Sequence, residues 1–301
     1  MLTPARARAL GPLLDRFLAA YDHRARIAFD PIELPHRYTR PEDVEVSALL
    51  SCSLAYGRVE LFKPKLERLL ESMGESPADF AASFDPKRHR KVFEGFVYRF
   101  NLASDIALLV AGMGAMLREQ GSLGAAFPLD VPLREALIAF TGRLRNHPRE
   151  AILRELGPVR GLDHLLPDPA RGGSCKRLLL FLRWMARGPD GVDFGLWKLP
   201  TSRLVIPLDT HIARISRLLG LTTRNDLSWK TAADITASLA LLDANDPVKY
   251  DFALCHYGMS GVCPAKPVRE NCRRCALQTT CRVGRRLPPP RAKLEAARRQ
   301  G

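Results

Sequence analysis

Apolar side chains return every three to four residues along most of this 301-residue chain, the spacing that gathers them on one face of an α-helix. The pattern predicts helices over 7–21, 44–56, 66–73, 102–118, 133–144, 149–156, 175–186, 211–219, 229–242 and 248–257. No run alternates apolar and polar residues as a half-buried strand does, so the expected fold class is all-α. Prolines and glycines fall between the helical stretches as turns, with longer connections at 127–132, 157–173 and 188–208, and no internal repeat is present. The longest apolar stretch, 106–117, is interrupted by Gly112 and Gly114 and falls short of the roughly 20 residues that a membrane span needs. No membrane partner is expected.

Length at about 100 to 200 residues per domain suggests two units. With 46% hydrophobic and 26% charged residues, the chain is not of the disordered class. Charge adds the first functional hint: 46 Lys and Arg against 32 Asp and Glu give +14 and a pI near 9.8, a balance that favours polyanionic partners. The first residues include Arg6, Arg8, Asp15 and Arg16 and contain no apolar signal core, which makes the cytoplasm the expected compartment. Beyond Cys281 the chain carries Arg282, Arg285, Arg286, Arg291, Lys293, Arg298 and Arg299 against Glu295, and a flexible basic tail is expected over 284–301.

Four of the seven cysteines, Cys263, Cys272, Cys275 and Cys281, lie within 19 residues, spaced x8, x2 and x5. So dense a group in a cytosolic chain points to metal. Structural zinc sites usually pair their ligands as two close Cys knuckles, and only one such pair is present, so the spacing favours a [4Fe–4S] cluster with zinc as the competing ion. Arg269, Arg273, Arg274 and Arg282 in or beside this loop suit contact with phosphate, and Arg273 and Arg274 are the candidate DNA ligands. Cys52, Cys175 and Cys255 read as small buried hydrophobes.

A helix ending in Cys255-His256-Tyr257-Gly258 and followed by this cysteine loop resembles the C-terminus of the endonuclease III-like helix-hairpin-helix DNA glycosylases, with a first cysteine gap of eight residues where that family usually has six. A second match is Leu208-Asp209-Thr210-His211-Ile212-Ala213-Arg214-Ile215. Read physically, Asp209 sits at an N-cap before a buried stripe of Ile212, Ile215 and Leu219, a role that would serve the helix alone. The resemblance implies more: the family's essential aspartate, which stabilises positive charge developing on the deoxyribose. Upstream, Gly172-Gly173-Ser174-Cys175-Lys176 before an apolar helix looks like the family's hairpin, whose glycines let backbone amides approach a phosphate. Ser174 replaces the family's second glycine. Lys176 falls where bifunctional members carry a Schiff-base lysine; a solvated helix end or a phosphate contact is its plainer reading. Lys198, in a surplus segment with Trp197, is a rival lysine, while Trp197 reads as core. The stretch from Glu45 to Ser53 resembles the helix opening the six-helix domain, with Ser53 where a base-replacing glutamine often stands, so a wedge would come from Tyr56, Arg58 or elsewhere.

The resemblance implies a six-helix domain with a helix-hairpin-helix over 44–204 and an interleaved iron–sulfur domain over 205–283, joined by an N-terminal segment 1–43, with the active site in the cleft between them. It implies a monomeric base-excision glycosylase, nucleoid-associated when bound to DNA. The enzyme would extrude a damaged or mispaired base from duplex DNA and cut its N-glycosidic bond, with abasic-site lyase activity if Lys176 is the nucleophile. A non-catalytic iron–sulfur protein that binds DNA shape or abasic sites is the alternative.

Overall fold

The computed structural model describes residues 2–146 and 149–287; most of the basic tail expected over 284–301 lies outside the described residues. Helices dominate, in keeping with the all-α expectation. The chain divides into two compact units: residues from Arg24 to Arg203, and those up to His23 together with those from Leu204 on. Residues 24–43 therefore group with the larger unit.

The larger unit contains α2 (Arg24–Ile27), α3 (Pro41–Leu54), α4 (Val59–Ser72), α5 (Pro77–Ala82), a hairpin of β1 (Val97–Tyr98) and β2 (Asn101–Leu102), α6 (Ala103–Gln120), α7 (Leu133–Arg145), α8 (Arg149–Leu156), α9 (Leu162–Leu165) and α10 (Lys176–Ala186). Two helices are enclosed by the rest. Every residue of α3 from Asp43 to Leu54 is buried, polar ones included, and α3 packs against α4, α5 and α10. The second, α6, packs against α5, α7, α8 and α9. Its interrupting glycines are where neighbours approach most closely: a Cβ on Gly112 would stand 2.4 Å from the Leu144 carbonyl oxygen, and one on Gly114 1.9 Å from that of Ala81.

Several buried polar groups in this unit are paired, as burial favours, although Ser51 Oγ on α3 has no hydrogen-bond partner. Glu45 on α3 accepts from the amides of Leu123 (2.7 Å) and Gly124 (2.9 Å) and from Trp197 Nε1 (2.7 Å). Burial, the largest influence on this carboxyl, raises its pKa despite the three donors. Trp197 is a core residue, packed among Phe127, Phe140 and Phe181. The surplus segment is thus built into the unit: Arg183 and Asp193 form a fully buried ion pair at 2.8 Å, and the amides of Phe194 and Trp197 donate to the carbonyls of Trp184 and Met185.

The smaller unit contains α1 (Pro4–Ala19), α11 (Thr210–Leu219), α12 (Trp229–Ala240), α13 (Asp251–Met259) and α14 (Arg269–Arg274). Helix α1 is held to it by Tyr250 Oη donating to Asp15 (2.6 Å), by Lys249 pairing with Asp15 (3.1 Å) and by Phe17 set edge-on to Tyr257. No described helix is long and apolar enough to cross a membrane.

Because the crossings of α6 leave no room for a methyl group, Gly114→Ala is expected to cost about 1 to 3 kcal/mol in urea unfolding. Gly142→Ala is the control, since Gly142 lies within α7 with nothing near its missing Cβ; it should be neutral or stabilising by up to about 1 kcal/mol.

Candidate active site and cysteine loop

Asp209 caps α11. Pro207 precedes it, its backbone is extended, and Oδ1 accepts from the Ile212 amide at 2.8 Å. The N-cap reading is therefore correct, and it uses one carboxylate oxygen. The other accepts from Cys255 Sγ on α13 at 3.5 Å. One turn later Gly258 brings the two helices together, for a Cβ there would sit 2.9 Å from His211 Cβ. Arg214, on the same face of α11, donates to the Gly258 carbonyl (3.1 Å), to the Pro264 carbonyl (3.1 Å) and to Cys263 Sγ (3.2 Å). Tyr257 donates from Oη to Cys275 Sγ at 3.2 Å. The stretch Cys255 to Gly258 thus touches Asp209 at one end and the cysteine loop at the other.

Cys263, Cys272, Cys275 and Cys281 all line one pocket, together with Leu218 and Tyr257. Among the described residues, no three His, Cys, Asp or Glu side chains converge as ligands of a single ion. Burial first, and then the other cysteines of the loop, raise the Cys272 pKa; Cys263 is raised by burial against the opposing pull of Arg214. Both shifts favour the neutral thiol, and a bound cation would reverse them by stabilising thiolate. The donor set, a common pocket with N–H and O–H donors already aimed at two sulfurs, fits an iron–sulfur cluster. The loop is tied back to α11 by the Arg282 amide, which donates to the Leu218 carbonyl (2.8 Å). Of the candidate phosphate ligands beside it, Arg274 is exposed and pairs with Glu270 (2.9 Å), whereas Arg273 is half-buried.

In the larger unit, the segment 172–175 runs between a short 3-10 turn over Pro169–Arg171, which follows α9, and the start of α10. Asp168 caps the turn, and Arg134 on α7 donates to the carbonyls of Pro169 (3.0 Å) and Ala170 (3.2 Å), fixing its position. Gly172 adopts φ +79°, and a Cβ on exposed Gly173 would meet nothing. Cys175 is left-handed (φ +50°), a costly conformation for a residue with a Cβ. It is buried, which pushes its thiol up to about 11. Ser174 and Lys176 are half-buried at the start of α10.

Arg177 was not legible as special. Its guanidinium is largely buried, donating to the carbonyls of Ser53 (2.7 Å) and His164 and lying 5.1 Å from the Tyr56 ring centroid. Among the described residues no carboxylate pairs with it, and burial works against its charge. Tyr56 itself donates to Asn101 Oδ1 (2.6 Å). Ser53 is buried, and Tyr56 is half-buried and engaged in this network. Arg58 is exposed, and so are the two residues at the β-hairpin tip, Arg99 with φ +52° and Phe100, 62% exposed beside His164. A hairpin this short leaves almost no alternation to read. The rival Lys198 is exposed.

Residues 30–260 match the model of a family described as "Protein of unknown function (DUF2400)", and the chain belongs to that family. The matched segment includes Lys176, Asp209 and Cys255 and stops before the four-cysteine loop. No curated protein and no solved structure matches the chain.

His164 is shifted below its ordinary value of 6.5, first by burial and then by the neighbouring charges of Arg177 and Arg99. Its folded pKa being the lower, the stability tied to neutral His164 is complete above about pH 6.5 and is lost as pH falls through the folded value. An NMR titration should place the His164 midpoint below 6.5, and Arg177→Met should move it upward.

Proposed function

We propose that this protein is a DNA glycosylase of base excision repair that acts on duplex DNA carrying a damaged or mispaired base. The observation that carries the reading is the α13 turn that links Asp209 to four cysteines lining one pocket. A helix-capping aspartate alone is commonplace; one built into the same few residues as a cluster loop is what the endonuclease III-like resemblance requires.

In this reading Cys263, Cys272, Cys275 and Cys281 hold a [4Fe–4S] cluster. Such a cluster gives each thiolate its own iron, which suits sulfurs spread around a pocket, and when bound it would cross-link the loop and supply one-electron redox capacity. Asp209, oriented by the Ile212 amide and Cys255, stabilises the oxocarbenium-like charge as the glycosidic bond breaks. Lys176 Nζ, as a neutral amine, bonds to the sugar C1′ as the glycosidic C–N bond breaks and the base leaves with the bonding pair and takes up a proton; the attached nitrogen gives up a proton, and cleavage of the C1′–O4′ bond, with O4′ protonated, leaves the imine from which elimination of the 3′-phosphate cuts the strand. Gly172, Gly173 and Ser174 offer the hairpin backbone to a phosphate, Arg273 and Arg274 add a second contact, and Phe100, an exposed aromatic side chain, would fill the space of an extruded base. The protein would work as a cytoplasmic, nucleoid-associated monomer.

A second reading, an iron–sulfur protein that binds DNA shape or abasic sites without chemistry, is favoured by Ser53, which is buried and whose carbonyl is engaged by Arg177.

Borohydride trapping on duplexes carrying an abasic site or one of several damaged bases tests the chemistry. The expected adduct disappears with Lys176→Ala and persists with Lys198→Ala; Asp209→Asn slows base release by about 10²- to 10³-fold with DNA affinity retained. Lesion affinity without base release or adduct would select the second reading. Protein purified anaerobically should be brown and absorb broadly near roughly 400 nm, and a colourless zinc-containing preparation would remove the cluster.

A further inference from the structure

The segment from Asp85 to Phe96 joins α5 to the β hairpin and carries Lys87, Arg88, Arg90 and Lys91 around His89. All four cations are exposed, and none enters an ion pair among the described residues. A charge run is most often a solvated loop with no fixed shape. This one is anchored. The His89 ring stacks on Phe84 (5.8 Å) and contacts Phe80 (5.2 Å), and both phenylalanines contact Phe93, which is 1% exposed. The backbone closes on the same residues: the Asp85 amide donates to His89 Nδ1 (3.0 Å), and the Arg88 amide donates to Asp85 Oδ1 (2.8 Å).

Open depressions flank the loop. In one, Lys65, Arg68 and Ser72 of α4 face residues 92–97. In the other, Arg90 and Lys91 share the wall with Glu94 and Glu155, and Glu155 is paired with Arg154 (3.1 Å). The loop leads through Val97 directly to the exposed tip at Arg99 and Phe100.

We infer that this anchored loop is a second DNA-contacting surface, in which Lys87, Arg88, Arg90 and Lys91 bind successive backbone phosphates of the duplex on the approach to the hairpin tip. The inference rests on the duplex partner proposed above and is independent of the excision chemistry. Cations held on an aromatic anchor lose little freedom when phosphates bind, and each neutralised phosphate releases counterions. Contact of this kind is indifferent to base sequence and to the presence of a lesion.

The test is the salt dependence of binding to an undamaged duplex, with the full chain and a Lys87→Gln, Arg88→Gln, Arg90→Gln, Lys91→Gln variant, whose changes are all at exposed positions. Log affinity against log salt should lose about 3 to 4 units of slope in the variant, with low-salt affinity down at least roughly tenfold. A charge-preserving Lys87→Arg, Arg88→Lys, Arg90→Lys, Lys91→Arg variant should keep the wild-type slope. An unchanged slope in the glutamine variant, with the wild type binding duplex, overturns this inference alone. No duplex binding by the wild type at low salt overturns the DNA reading and this surface together. Tighter, loop-dependent binding to single-stranded RNA than to duplex would overturn the duplex assignment.

Discussion

Everything chemical in the smaller unit depends on how closely α11 and α13 approach, and that approach depends on a missing side chain at Gly258. With no Cβ there, His211 and Ile215 can lie against α13, Cys255 comes level with Asp209, and Arg214 reaches past the helix to the Gly258 and Pro264 carbonyls and the Cys263 sulfur. A larger residue would push the helices apart, and the aspartate, the arginine and the cysteine loop would lose their shared frame at once. The Ile212 amide and the Cys255 thiol fix the orientation of the Asp209 carboxylate.

The larger unit is organised by buried polar groups. Glu45 binds the turn after α6 to the indole of Trp197, and Arg183 with Asp193 secures the segment after α10. Both are fully partnered, as a stable core requires. Arg177 is different in kind: a desolvated cation held by carbonyls and an aromatic ring, next in sequence to Lys176. Its bonds to the Ser53 and His164 carbonyls connect the end of α3, the α9 segment and the start of α10.

Helix positions were largely legible because core-facing residues repeat at the helical period whatever they pack against. The departures have local causes. Helix α4 begins at Val59, seven residues before the expected start, because Pro64 reads as a break yet is carried inside the helix at the loss of one hydrogen bond. The six-residue α5 is too short to show a period, and the two-residue strands of the hairpin offer no alternation. Asp209 and the four cysteines stood out because their signals are local: a cap before an amphipathic helix, and a ligand spacing. Arg214, Tyr257 and Arg177 did not, since each acquires its meaning from a partner far along the chain, Cys263, Cys275 and Ser53 respectively.

By itself, then, the sequence determined the helical class, the buried faces, the N-cap at Asp209 and the company of four thiols, all of them set by neighbours a few residues away. Only the tertiary structure decided which thiols receive hydrogen bonds, that Lys198 is surface, that Gly112, Gly114 and Gly258 are points of helix contact, and that the basic run at 87–91 is held on an aromatic anchor. The reason is physical: period and capping are properties of a single helix, whereas burial, desolvation and side-chain pairing exist only once distant segments have been brought together.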